Sequence, residues 1–159
     1  MYLRCWVLPI AIMALSACVN VNIDLGDGDD TPRVKVDDVT FEVEVADTRL
    51  LRSRGLTGRT YLGEREGMLF IPDGPEARNF WMKGMLFPLD LIWIGRNCRV
   101  ADIAVNLPLP YPGTPDDEIR RYNSYPPAAY ALEVNAGEVD RFGIRVGHKV
   151  KFDNIDNGC

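Results

Sequence analysis

Apolar and polar positions alternate first at Val39, Phe41, Val43 and Val45, with Thr40, Glu42 and Glu44 between them. Period two predicts a strand with one buried face. Asp47 and Thr48 then offer a helix N-cap. Leu50, Leu51 and Arg54 share a turn, and Gly55 stops it. The apolar run Gly67–Ile71, closed by Pro72, predicts a buried strand, and Asn79–Lys83 predicts another. Leu89–Ile94 is apolar on both faces except at Asp90. After the turn Gly95-Arg96-Asn97, the segment Cys98–Val105 completes a hairpin. Asn106–Pro127 is polar and Pro-rich, a loop of about 20 residues, and loops that long are usually functional or mobile. Tyr130–Val134 predicts a strand. Asn135 is expected to cap a short helix through Phe142, ended by Gly143. Val146-Gly147-His148 turns into a last strand, Lys149–Phe152.

Many short strands with two short helices predict a closed or sandwiched, mainly β architecture. The 14 Gly and 11 Pro agree with a turn-rich chain rather than a helical bundle. The chain has 159 residues, and its patterned part, from Val34 to Asp153, is long enough for one core. The 18 Lys and Arg against 23 Asp and Glu leave a net charge of −5, which argues against nucleic acid as a partner.

The N-terminus is patterned differently. Arg4 precedes an uncharged stretch, Cys5–Ala17, that is long enough for a signal peptide and short of the ~20 residues of a membrane span. It ends Leu15-Ser16-Ala17-Cys18, which resembles a bacterial lipobox. That resemblance implies removal of residues 1–17, a lipid on Cys18, and a membrane partner reached through that anchor at the cell envelope. Residues 18–33, with Asp24, Asp27, Asp29, Asp30, Gly26 and Gly28, then form a flexible acidic tether. They lack the closing glutamate of a calcium loop. Residues 34–153 are the β-domain and 154–159 a C-terminal tail.

Six blocks in order resemble a known family. They are Arg54-Gly55-Leu56-Thr57-Gly58-Arg59, Gly67-Met68-Leu69-Phe70, Phe80-Trp81-Met82-Lys83, Pro88-Leu89-Asp90, Leu132-Glu133-Val134-Asn135-Ala136-Gly137 and Gly143-Ile144-Arg145-Val146-Gly147. Together they look like domain of unknown function 192, in an exported lipoprotein form. The resemblance implies a compact β-barrel or jelly-roll-like sandwich and no particular activity. Two departures stand out. Gly84-Met85 replace an Asn-Thr common in the family. The loop Leu107–Tyr125 lacks the cysteine pair that many members carry there.

Trp81, Lys83, Asp90 and Glu133 are the candidate ligand-binding residues. If Phe80–Lys83 pairs with Leu89–Ile92 about a Gly84–Pro88 turn, Lys83 faces Asp90, and Trp81 shares their face. An aromatic plate beside a Lys/Asp pair suits a small polar ligand such as a sugar or carboxylate. The same residues read also, and in the first place, as a buried ion pair that sets register. Glu133 either holds a loop amide or joins this cluster. Arg49, Arg52, Arg54 and Arg59 form a basic stretch in an acidic chain, read as a solvated helix face or an anion or partner site.

His148 is the lone histidine and is expected in a solvated turn. A His-rich zinc site is therefore excluded by count, and no phosphate-cradling or dinucleotide-binding glycine motif is present, so no metal and no cofactor is expected. Once Cys5 and Cys18 are set aside, Cys98 and Cys159 remain. They read as a disulfide of an oxidising compartment, or as a buried free thiol and a loose tail. The leading expectation is an envelope-anchored binding or accessory domain for a small polar ligand or an envelope protein. The alternative is a small hydrolase or lyase on an envelope polymer, using Asp90 or Glu133 as acid/base with Lys83. A purely structural partner would show a flat apolar patch and no pocket.

Overall fold

The computed structural model describes residues 29–74, 79–156 and 158–159. The expected signal segment, Cys18 and most of the expected tether lie outside the described residues. The elements run β1 (Arg33–Val36), β2 (Val39–Ala46), α1 (Arg49–Arg54), β3 (Glu66–Phe70), β4 (Leu89–Ile94), β5 (Val100–Leu107), β6 (Tyr130–Asn135), α2 (Glu138–Arg141) and β7 (Val150–Asp153). The protein is mainly β, with one mixed sheet in the order β5-β4-β6-β3-β2-β1-β7.

β1 is a strand beyond those read from the pattern. Val34 and Val36 point inward while Lys35 points out, and a two-residue hairpin at Asp37-Asp38 pairs Val36 with Val39. Asp37 takes a φ of 54°, a conformation that Asp tolerates in such turns. β2 reaches β3 through α1 and pairs with it in parallel. β6 lies between β3 and β4, antiparallel to both.

The sheet curls until its outer strands meet at one corner, which makes it a half-barrel. Arg99 bridges Lys149, Val100 N–H donates to the His148 carbonyl at 2.9 Å, and Val150 N–H donates to the Cys98 carbonyl at 2.9 Å. At the same corner a disulfide joins Cys98 to Cys159 with a Cα–Cα separation of 5.3 Å. Gly158 lies flat on the Phe152 ring, where no Cβ fits.

The curl encloses one cluster drawn from every strand, including Val34, Phe41, Leu69, Ile92, Leu132 and Phe152. Each fully buried Leu or Ile there contributes about 2 kcal/mol. A second cluster, around Met68, Phe70, Leu91 and Trp93, covers the outer face of β3, β4 and β6. It is roofed by the segments that follow α1, precede β4 and follow β5.

Two expectations fail. Asn79–Lys83 is no strand: Phe80 alone forms an isolated bridge, to Tyr122. β4 is already paired on both sides, by β5 and β6, so no ladder is open to a third strand. Lys83 and Asp90 therefore do not face each other. Asn135 is no cap either. Its side chain donates to the carbonyls of Leu62 and Gly63, at 3.0 and 2.9 Å, and ties down the loop before β3. The N-cap of α2 is Gly137, which has no side chain to offer.

Candidate functional site

Asp90 fills the capping role. It is fully buried. One carboxylate oxygen accepts the N–H of Asn106 at 2.8 Å; the other accepts those of Gly137 at 2.9 Å and Val139 at 3.0 Å. One side chain thus holds the end of β5 and the start of α2, satisfying N–H groups that a helix start leaves open. It does not line the cleft that opens on the other face of the sheet.

Lys83 sits elsewhere. Its ammonium pairs with Asp116 of the long loop, and both side chains are substantially exposed. The hydrolase or lyase reading places Asp90 or Glu133 with Lys83; the structure puts Lys83 on Asp116 and sets the two carboxyls on opposite faces of the sheet. Asp90 pairs with Val134, and Leu91 with Glu133, across β4 and β6. Asp90 therefore shares the inner face with Val134, while Glu133 shares the outer face with Leu91.

The outer face opens into a cleft of about 410 Å³, and Trp81 and Glu133 both line it. α1 forms one wall. Thr48 caps it by accepting the Leu51 N–H at 3.2 Å, and the N–H of Gly55 closes the last turn on the Leu51 carbonyl at 2.8 Å. α1 buries no residue, and Leu50 is 77% exposed. What fastens it is Arg52, whose guanidinium donates to the Ile71 carbonyl at 2.8 Å and also engages the Asp47 carbonyl and the Asp73 carboxylate.

The segment Asn79–Met85 forms the opposite wall. Phe80 and Tyr122 exchange backbone hydrogen bonds of 3.1 and 2.8 Å, and Asn79 N–H donates to the Asn123 side chain at 2.8 Å. This places the long loop against Trp81. The Arg121 guanidinium lies 3.6 Å from the Trp81 ring centroid, and the Lys83 ammonium lies 5.2 Å from it. Trp81 thus spends its ring on two cations. Gly84, at a φ of 68°, lets the chain turn beneath Thr57, whose hydroxyl donates to the Lys83 carbonyl at 3.2 Å. A Cβ at Gly84 would stand 2.8 Å from the Thr57 methyl.

The basic stretch divides by partner. Arg52 is bound as described, and Arg59 pairs with Glu44. Arg49, Arg54 and Arg121 line the cleft, and none of them has a carboxylate partner among the described residues. The pattern in the sequence flagged the first two. Arg121 carried no local signal.

Glu133 lies between Met68 of β3 and Leu91 of β4, only 7% exposed. Burial pushes its carboxyl up to about 8, and no hydrogen bond within the described residues offsets that. It is a neutral acid at pH 7. Glu138 is also raised by burial, although its carboxylate accepts the Arg65 N–H at 2.8 Å. It lies at the start of α2, and the cleft does not include it. His148 is half-buried rather than solvated, with its Nδ1 enclosed. Among the described residues no three His, Cys, Asp or Glu side chains gather to hold a metal. No helix there is long and apolar enough to cross a membrane.

Fold and site together define a small curled-sheet domain with an arginine-rimmed cleft on its outer face. The chain belongs to the DUF192 family, described as uncharacterized ACR, whose profile matches residues 32–152. It is similar to the crystal structure of a protein of unknown function from Novosphingobium aromaticivorans DSM 12444. Identity is 35%, the match covers 75% of this chain and 83% of that one, and the TM-score is 0.65. It is also similar to a crystal structure from Sinorhizobium meliloti 1021 described as a "putative transcription regulator". There identity is 27%, coverage is 79% of this chain and 95% of that one, and the TM-score is 0.65. No curated protein matches the chain.

Proposed function

We propose that this protein is a binding or accessory domain of the bacterial cell envelope, held there by a lipid on Cys18, and that its outer cleft takes a small anionic ligand. One observation carries the reading. Arg49, Arg54 and Arg121 line a single cleft without a carboxylate partner among the described residues, in a chain whose net charge is −5. In such a chain each cation has a surplus of acids to pair with, and three left facing one concavity form a site of positive potential. The volume of about 410 Å³ suits a small molecule. Loss of residues 1–17 removes Arg4 alone and takes the net charge from −5 to −6. An acidic body is repelled by anionic headgroups, so the lipid supplies the hold on the membrane.

The description of the Sinorhizobium neighbour would imply a nucleic-acid partner. The acid excess of this chain speaks against that partner, since phosphate backbones are bound by surplus cations. Calorimetric titration with inorganic phosphate and simple carboxylates tests the reading. Binding is expected to weaken about tenfold or more on Arg54→Ala with Arg121→Ala, each lost charged contact being worth ~1 kcal/mol or more. Unchanged binding, or none with any anion, overturns it.

A further inference from the structure

The rim and the floor of the cleft differ in chemistry. Arg49, Arg54 and Arg121 are exposed, whereas Leu56, Phe70 and Glu133 below them are buried and Phe80 is half-buried. A bare inorganic anion would reach the rim and leave the floor wet. A cavity of ~150 Å³ already holds a benzene ring, and this cleft is larger, at about 410 Å³. Glu133 adds a polar point to an otherwise apolar floor. A buried carboxyl without a partner is costly, and one that opens into a cleft is positioned for a partner brought by a ligand.

From this arrangement we infer that the cleft takes an amphiphilic anion. Its carboxylate or phosphate head meets the arginines, a compact ring-sized body rests on Phe70 and Phe80, and an oxygen acceptor meets the Glu133 carboxyl. The inference rests on the reading of the cleft as an anion site and names its ligand class.

Charge at the floor supports this. The Glu133 carboxyl, pushed up to about 8, is neutral at pH 7 and does not repel an anion. Met68 and Leu91 flank it on β3 and β4; Arg49, Arg52 and Arg54 of α1 and Arg121 of the long loop face it across the cleft. Affinity for an anion should therefore fall as pH rises through about 8.

The probes are acetate and benzoate, both anionic throughout this range, titrated calorimetrically into the purified protein. Benzoate is expected to bind about tenfold or more tighter than acetate, because it buries a ring. The preference should vanish in Arg54→Ala with Arg121→Ala. The affinity for benzoate should also fall above about pH 8 in the wild type and stay level in Glu133→Gln. If Glu133→Gln does not fold, the wild-type pH profile and Phe80→Ala, expected to erase the preference for benzoate, decide instead. Equal affinity for acetate and benzoate, both lost with the arginines, overturns the amphiphile and leaves the anion site standing. Binding of neither probe nor of inorganic phosphate overturns both. Benzoate binding indifferent to the arginines also overturns the inference.

Discussion

Asp90 and Glu133 stand on hydrogen-bonded neighbouring strands, one position out of register, and face opposite sides of the sheet. The two carboxyls have opposite fates. Asp90 accepts three backbone N–H groups inside the curl, and Glu133, on the outer face, has no hydrogen-bond partner among the described residues. The first is a fastening of the fold and the second belongs to the cleft.

Asp90→Ala should destabilise the protein by about 3 kcal/mol, because it strands three backbone donors, that of Val139 buried. Asp90→Asn keeps one carbonyl acceptor and should lose less. Lys83→Met removes an exposed pair and should change stability by less than ~1 kcal/mol. The double variant should show the sum of the two losses, since the side chains do not meet. Urea unfolding of the wild type and the four variants checks this, and a coupling between the two sites would contradict the assigned positions.

Stability should fall as pH rises from about 4.5 to about 8. Native Glu133 holds its proton throughout this window, while the unfolded chain, with an ordinary carboxyl, has released it. The native state binds more protons, so the contribution of this group is complete below about 4.5 and lost progressively above it. The slope is at most ~1.4 kcal/mol per pH unit. Glu138, also raised, has the same sign. The difference between the wild-type and Glu133→Gln profiles therefore isolates Glu133, and parallel profiles would place its titration in the ordinary carboxylate range.

Reduction, or Cys98→Ser, should lower stability by up to ~4 kcal/mol in the chain-entropy picture, for a loop closed across a sequence separation of 61. Mass spectrometry of non-reduced peptides should recover Cys98 linked to Cys159. A free Cys98 thiol in protein recovered from an oxidising compartment would contradict the bridge.

Cys18→Ser should abolish lipid attachment, because the thioether requires the sulfur. A fatty-acid probe and detergent partitioning report it. Wild type and variant both remaining in the aqueous phase would remove the anchor from the proposed function.

The sheet was legible wherever burial alternates. In β2, Phe41 and Val43 are buried and Glu42 and Glu44 exposed, so the strand and its inner face both follow from residue type. β4 is buried throughout and offers no alternation, so the face taken by Asp90 could not be read from it. Phe80–Lys83 misleads for a physical reason. Met82 is buried and Lys83 exposed in an irregular segment laid over the second cluster, which imitates period two without a ladder. Trp81 and Glu133, which line the cleft, were legible in the sequence as candidates. Arg121 was not, because its place beside Trp81 is set by the Phe80–Tyr122 bridge, a contact between distant segments that no local pattern encodes.

β1 is flanked on both sides, by β2 and by β7, with four registered pairs in each ladder. Asn154 also donates to the carbonyls of Asp29 and Thr31 just before it. A pull arriving along the chain at Asp29 runs parallel to β1. It loads both ladders in shear, so their hydrogen bonds bear the tension together rather than opening one after another as at a peeled edge. Under a load applied from its N-terminal side, the domain is expected to resist unravelling, because β1 has no free edge.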